Sequence, residues 1–339
     1  MNKRALTLLI LVLVAAVAGA VWTGLRRGGN VVVVYVSEDQ VFSEPILKDF
    51  ERDTGVGVRA VYDMEETKSA GVMNRLIAEK ANPQADVYWA NEPIRAELLR
   101  QRSVSVAYRS PSAEGIPDQF RDPHGYWTGF SARARMLIVA KGIDNPTSIQ
   151  AYTDPRFRGK TVLANPLFGT TTAHIAALFT AWGDERAKGF LEAIRRNDVH
   201  LTSSNGESAD QVAAGASQFG LVDSDDVYSR RRQGQPIDGV YPDQDEQGLG
   251  CFIVPNAVLL VRDSPHSEAG KKLIDYLLSP ATEKKLAESD AAQIPLHPGV
   301  ETPQDVRRLE TLKVMKVDYA QVAAKMQAIQ PLLQDWAGH

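Results

Sequence analysis

At 339 residues the chain is long enough for about two domains. Hydrophobic residues make up 44% and charged residues 24%, which excludes a disordered chain, a collagen and a polytopic membrane protein. The formal net charge of −4 lacks the basic surplus of a nucleic-acid binder, and the single Cys251 allows neither an intramolecular disulfide nor a multi-thiolate metal site.

Lys3 and Arg4 stand before an uncharged apolar run that continues to Val21. A basic start and an apolar core form the layout of an export signal. Ala16-Val17-Ala18 and Ala18-Gly19-Ala20 offer small residues at cleavage spacing. Residues 5–23 are also near the length of a spanning helix. A cleaved signal and a retained membrane anchor therefore both stand, with residues 1–30 as leader and linker. Either one places the rest of the chain in the periplasm or otherwise outside the cytoplasm.

Residues 31–36 (VVVVYV) read as a strand buried on both faces, the mark of a parallel sheet. A helix follows, starting between Asp39 and Ser43, with Pro45 in its first turn and Gly55 at its end. Strands over 56–62 and 86–89 alternate with helices over 73–80 and 92–101. This alternation predicts βαβ units. Residues 110–126 read as loop. A long strand is predicted over 130–140, then a strand over 161–164 and helices over 172–182 and 187–197. A short strand over 219–222 leads into a helix over about 225–233. A second long strand covers 251–261. Helices follow over 268–278 and 280–288, and residues 303–336 read as helical. The two long strands are natural crossings between lobes. The predicted division is 31–128 with 256–300 for the first lobe and 129–255 for the second. Residues 301–339 are expected as C-terminal helices packing on the second lobe.

The common catalytic signatures are missing from the sequence. Gly215-Ala216-Ser217-Gln218-Phe219 fails as a nucleophile elbow, Gly159-Lys160 lacks the earlier glycine of a P-loop, and no two histidines stand at metal-ligand spacing. The prior for an enzyme falls accordingly, and catalytic residues are expected to be none.

In open α/β sheets ligands bind beyond the carboxyl ends of the strands. That rule selects Ser37 and Asp39 after the first strand, and Asn91 and Glu92 after the third. Thr170 and Thr171 open a helix start whose N–H groups suit an anion, and the turn at Asn205 is a weaker copy of it. Arg133 and Arg135 share one face of their strand; Arg133 is the candidate for reaching an anion. Asp223, Asp225 and Asp226 place three carboxylates within four residues. Grouped oxygens suit a hard cation, an ammonium group or sugar hydroxyls. Helix capping would use one or two of them. Asp225 and Asp226 are therefore the candidate ligands, and the candidate metal ligands should the solute be a cation.

Several stretches taken together carry a resemblance. They are residues 34–51 (VYVSEDQVFSEPILKDFE), 85–89 (ADVYW), 129–137, 219–226 (FGLVDSDD), 241–244 (YPDQ) and 253–256 (IVPN). The chain resembles the periplasmic solute-binding proteins of ABC importers (extracellular solute-binding family 1), close to the ferric-ion-binding branch. The resemblance spans residues 31–300. It implies an α/β, two-lobe type II periplasmic-binding-protein fold, each lobe a mixed sheet flanked by helices, closing on a small solute. It also implies a monomer working with an importer permease, with no cofactor beyond a transported ferric ion and its anion. Ferric-binding relatives hold iron with adjacent tyrosines after the FGLV-like strand; here Asp225-Asp226 stands there. Where they commonly use a histidine in the first loop, Asp39 or Gln40 is found. The solute therefore stays open between a hard cation with an accompanying anion and an organic anion such as a phosphonate or phosphate ester. An α/β hydrolase-like enzyme or a membrane-anchored sensor module is the reading from another class.

Overall fold

The computed structural model describes residues 30–63, 70–144 and 146–338. The leader, and any attachment through residues 5–23, lie outside the described residues. Among the described residues no helix is long and apolar enough to cross a membrane.

The first sheet grows from the predicted βαβ units. β1 (Val31–Val36) lies between β2 (Gly57–Tyr62) and β3 (Val87–Ala90), parallel to both. A central parallel strand has no solvent face, which is why it can be almost pure valine. α1 (Gln40–Thr54) links β1 to β2 and buries Ile46, Leu47 and Phe50. It stops at Gly55, whose φ of 67° closes the helix by an N–H bond to the Glu51 carbonyl. α2 (Ala70–Ala78) and α3 (Pro93–Gln101) flank β3. The two-residue β4 (Ser105–Val106) adds at the edge.

β5 (Thr128–Ala140) is the long strand of the centre. Its first half pairs antiparallel with β10 (Ile253–Val261), which itself pairs with β3. Its second half pairs with β8 (Phe219–Asp223) and β9 (Ile237–Val240). β8 continues the second sheet through β6 (Thr161–Ala164) to β7 (His200–Thr202), all parallel. One strand thus belongs to both sheets. Gly129 serves this crossing by closeness, since a Cβ there would lie 2.6 Å from the Phe120 carbonyl oxygen.

Helices cover the second sheet: α4 (Gly169–Trp182), α5 (Asp184–Arg196), α6 (Asn205–Ala213) and α7 (Ser224–Arg232). α8 (Ser267–Leu277) and α9 (Pro280–Glu288) return to the first, α8 against β1 and α9 against α1.

The structure corrects three expectations. The turn at Asn205 is the first turn of α6, capped by Ser204, whose Oγ accepts from the Glu207 N–H at 3.1 Å. The short strands β7 and β9 carry too few apolar residues to be seen by periodicity. Residues 303–318 are not α-helical. Helix begins only with α10 (Tyr319–Ala328) and α11 (Gln330–Ala337). α10 also touches both halves of the molecule, packing on α3 as well as α4, where the second lobe alone was expected.

Tyr319 explains that placement. Its ring meets Trp127 edge-on at 6.2 Å and lies near Phe120 and Phe252. Its hydroxyl donates to the Ile253 carbonyl at 2.6 Å, at the start of β10. Tyr319→Phe leaves that buried carbonyl without its donor and lowers the unfolding free energy by about 1 kcal/mol, measurable by urea denaturation.

Candidate functional site

The site lies where the C-terminal ends of β1, β3 and β8 meet the middle of β5. It is built around Arg135, fully buried on β5. Its Nη1 donates to Asp223 Oδ1 at 2.9 Å and to Thr170 Oγ1 at 2.9 Å. Its Nη2 donates to Thr171 Oγ1 at 3.1 Å and to the Leu221 carbonyl at 3.0 Å. Thr170 in turn donates to Asp223 Oδ2 at 2.8 Å, and Asn205 Nδ2 donates to Thr170 and Asp223. A buried charge needs a partner and hydrogen bonds; these loops converge to supply the carboxylate and two bonds to each Nη, while Nε is left without a partner.

This changes the role of three candidates. Thr170, Thr171 and Asn205 spend their side chains on the Arg135–Asp223 pair instead of standing free for an anion. Arg135 and Asp223, named from the sequence but not chosen as candidate ligands, form the buried centre of this region. The signal was present, since Arg135 shares the strand face of Arg133.

The other candidates do come together. Arg133, from the same strand, donates to the Asn91 carbonyl and lies 3.5 Å from Asp223. Burial works against its charge, but Asp223, Asp225, Glu38 and Asp39 together hold its pKa above the ordinary arginine value. Asp39 also acts on Asp225, so carboxylates of the two lobes face each other. Glu92 is buried and pairs with Arg95 at 2.9 Å. Burial raises its pKa, against the pull of Arg95 and Arg133. Ser37 sits below them, bonded to Asp63 at 2.9 Å and to the Tyr88 hydroxyl at 2.9 Å.

Asp223, Asp225 and Asp226 bring carboxylate oxygens within 4.8 Å of one another. Their environments differ. Burial would raise Asp223, but Arg135 and Arg133 pull it below the usual carboxylate range. Asp226 Oδ2 accepts from the Asp223 N–H at 3.3 Å, and its other oxygen is 3.4 Å from Arg230. Part of the capping role is therefore real. Even so, burial, then Asp225 and Asp223, push Asp226 up to about 8, while burial against the pull of Arg133 lifts Asp225 to about 6. With Asp223 answered by Arg135, Asp225 and Asp226 hold negative charge with difficulty. An added cation would relieve them. Together with Arg133, the arrangement can hold a cation and an anion side by side.

Residues 32–289 match the family model of the bacterial extracellular solute-binding proteins. Iron uptake protein A1 of Synechocystis sp. is 25% identical over 286 residues, covering 79% of this chain and 78% of that protein. The putative 2-aminoethylphosphonate-binding periplasmic protein of Salmonella typhi is 25% identical over 244 residues, covering 70% and 69%. The solved structure of the ferric binding protein from Campylobacter jejuni superposes with a TM-score of 0.80 at 20% identity, covering 91% of this chain and 99% of that one. The chain belongs to the bacterial extracellular solute-binding proteins. It is the extracytoplasmic substrate-binding component of an ABC importer, not an enzyme.

Two outcomes follow from the geometry. Arg135→Met strands Asp223 as a buried, unpaired carboxylate and costs about 3–5 kcal/mol of stability, read by urea unfolding. The second concerns pH. Asp225 and Asp226 take up protons as pH falls through about 6 and about 8, and a cation must displace those protons. Affinity for ferric ion, supplied as its citrate chelate, therefore rises with pH across that interval in calorimetry.

Proposed function

We propose that the solute is a hard cation, ferric iron foremost, captured between the lobes by Asp225 and Asp226 with an accompanying anion at Arg133. The observation that carries this reading is the carboxylate cluster in which Asp223 has its own arginine while Asp225 and Asp226 do not share it. The similarity to an iron uptake protein supports it. Asp39, Asn91, Glu92 and Ser37 line the opposing side. In this reading the lobes are 31–128 with 256–300 and 129–255, the C-terminal segment bridges them, and a monomer delivers the ion to the permease. A retained leader would add attachment through residues 5–23.

A second reading has its own support. Arg133 beside two carboxylates also fits a zwitterion, with a phosphonate or phosphate ester against the guanidinium and an ammonium group against Asp225 and Asp226. The relative described as binding 2-aminoethylphosphonate favours it.

Native mass spectrometry of the protein as isolated separates the two by the mass it carries. The double substitution Asp225→Asn with Asp226→Asn keeps shape and removes charge. Truncating a buried charged contact costs about 2–5 kcal/mol, so affinity for ferric citrate falls by at least about 30-fold. Unchanged affinity removes these residues from the site. Iron held by carboxylates also leaves the protein without the strong visible band of tyrosinate-bound iron. Such a band in the loaded protein would contradict the assignment.

A further inference from the structure

The crossing strand contains a second device, away from the solute. In the β5–β10 ladder, Ala132 faces Pro255 and Phe130 faces Asn256, with a register shift between Pro255 and Asn256. Ser131 is the extra residue of a bulge. Its φ is 35°, a region a side-chain-bearing residue rarely adopts, and it is fully buried. Neither of its backbone polar groups is spent on the ladder. Its N–H donates to Glu283 Oε1 at 2.7 Å, and its carbonyl accepts from Asn256 Nδ2 at 2.7 Å. Asn256 is itself held by Trp89 Nε1 at 3.1 Å and by Gln293 Oε1 at 2.8 Å. The next residue, Ala132, exchanges two bonds of 2.7 Å with Ile294.

Glu283, on α9, is a carboxylate with no solvent contact. Besides Ser131 it accepts from the Leu296 N–H, the His297 N–H and His297 Nδ1, at 2.9, 2.9 and 2.7 Å. The other ring nitrogen of His297 faces the Ser112 carbonyl at 2.9 Å. Both ring nitrogens thus point at oxygens that can only accept, and both must carry hydrogen to bond there. A neutral ring would lose one of these contacts.

We propose that Glu283 is the hinge-positioning residue, holding the Ser131 peptide in its bulge and so fixing the resting angle between the lobes, with His297 as a protonation-dependent clamp on Glu283. The surroundings support a local pair. Glu283 faces His297 from α9, and the 110–116 loop contributes the Ser112 and Glu114 carbonyls, the Glu114 residue being exposed. The neighbouring Lys284 and Lys285 pair elsewhere, with Glu301 and Asp49. Burial disfavours charge on His297, but Glu283 outweighs it with the two carbonyls and raises its pKa above the ordinary histidine value. The clamp therefore has both contacts at low pH and gives up one of them as pH rises through that raised value. The device depends on two closing lobes and not on which solute they hold.

The test needs no solute. Val41 and Phe168, 70% and 66% exposed at the cleft-side starts of α1 and α4, are replaced by cysteine and spin-labelled. Cys251 is fully buried and stays unlabelled. Interlobe distances are measured by pulsed electron resonance on dialysed, chelator-treated protein from about pH 6 to about pH 9, all in an Asp225→Asn, Asp226→Asn background so that the cleft carboxylates do not titrate, with wild type meaning wild type at the hinge. The expected wild-type distribution is narrow at the acid end and broader at the alkaline end. Glu283→Gln broadens it throughout, and His297→Gln removes the pH dependence. Should Glu283→Gln fail to fold, Ser131→Gly keeps the backbone conformation accessible while freeing it, and it broadens the distribution too. A wild-type distribution that does not change with pH, or a Ser131→Gly distribution identical to wild type, overturns the proposal.

Discussion

Arg135 is fully buried with its charge, and the second lobe is organised to answer that charge. Asp223 at the end of β8, Thr170 and Thr171 at the start of α4, and Asn205 at the start of α6 all turn toward it. The network anchors three strand-to-helix junctions to one point on β5. Asp223 is committed inward, and Asp225, two residues on, is the carboxylate that meets Asp39 of the first lobe. The arrangement of charges in the cleft thus rests on a structural requirement one layer beneath it.

The site reads as two half-sites of unlike sign. Arg133 reaches across to the Asn91 carbonyl of the first lobe, while Asp225 feels Asp39 from that same lobe. Like charges facing each other across an interface resist closing, and an intervening cation removes that resistance. A solute bearing positive charge would make closure favourable only when it is present, which is what a receptor in an importer requires.

Much of the fold is legible from residue patterns. The valine run of β1, the Gly55 stop of α1 and the two long strands appear where periodicity and turn chemistry place them. What escaped has physical reasons. β7 has two of its three residues exposed, so no apolar signal marks it. The helical reading of 303–318 failed because those residues pack as an extended strap across residues 243–253, through contacts such as Lys313 to Gln244 and Cys251, which local pattern does not encode. Residue type and strand-end position picked out Asp225, Arg133 and Asp39, which the structure brings near one another. They did not show that the side chains of Thr170, Thr171 and Asn205 turn to Arg135 and Asp223, because a helix start looks the same in sequence whichever way its side chains turn.

The place of β10 in the first sheet also bears on how the chain folds. It lies between β3 and β5, yet its residues come after the whole of the second lobe. The strands of the second sheet are contiguous from the latter half of β5 through β9, so that lobe can form from one uninterrupted stretch. The first lobe must wait with an open sheet edge until residues 253–261 arrive. Long-range pairing of this kind is slow and keeps a chain unfolded for longer, which suits a protein whose place of work lies outside the cytoplasm.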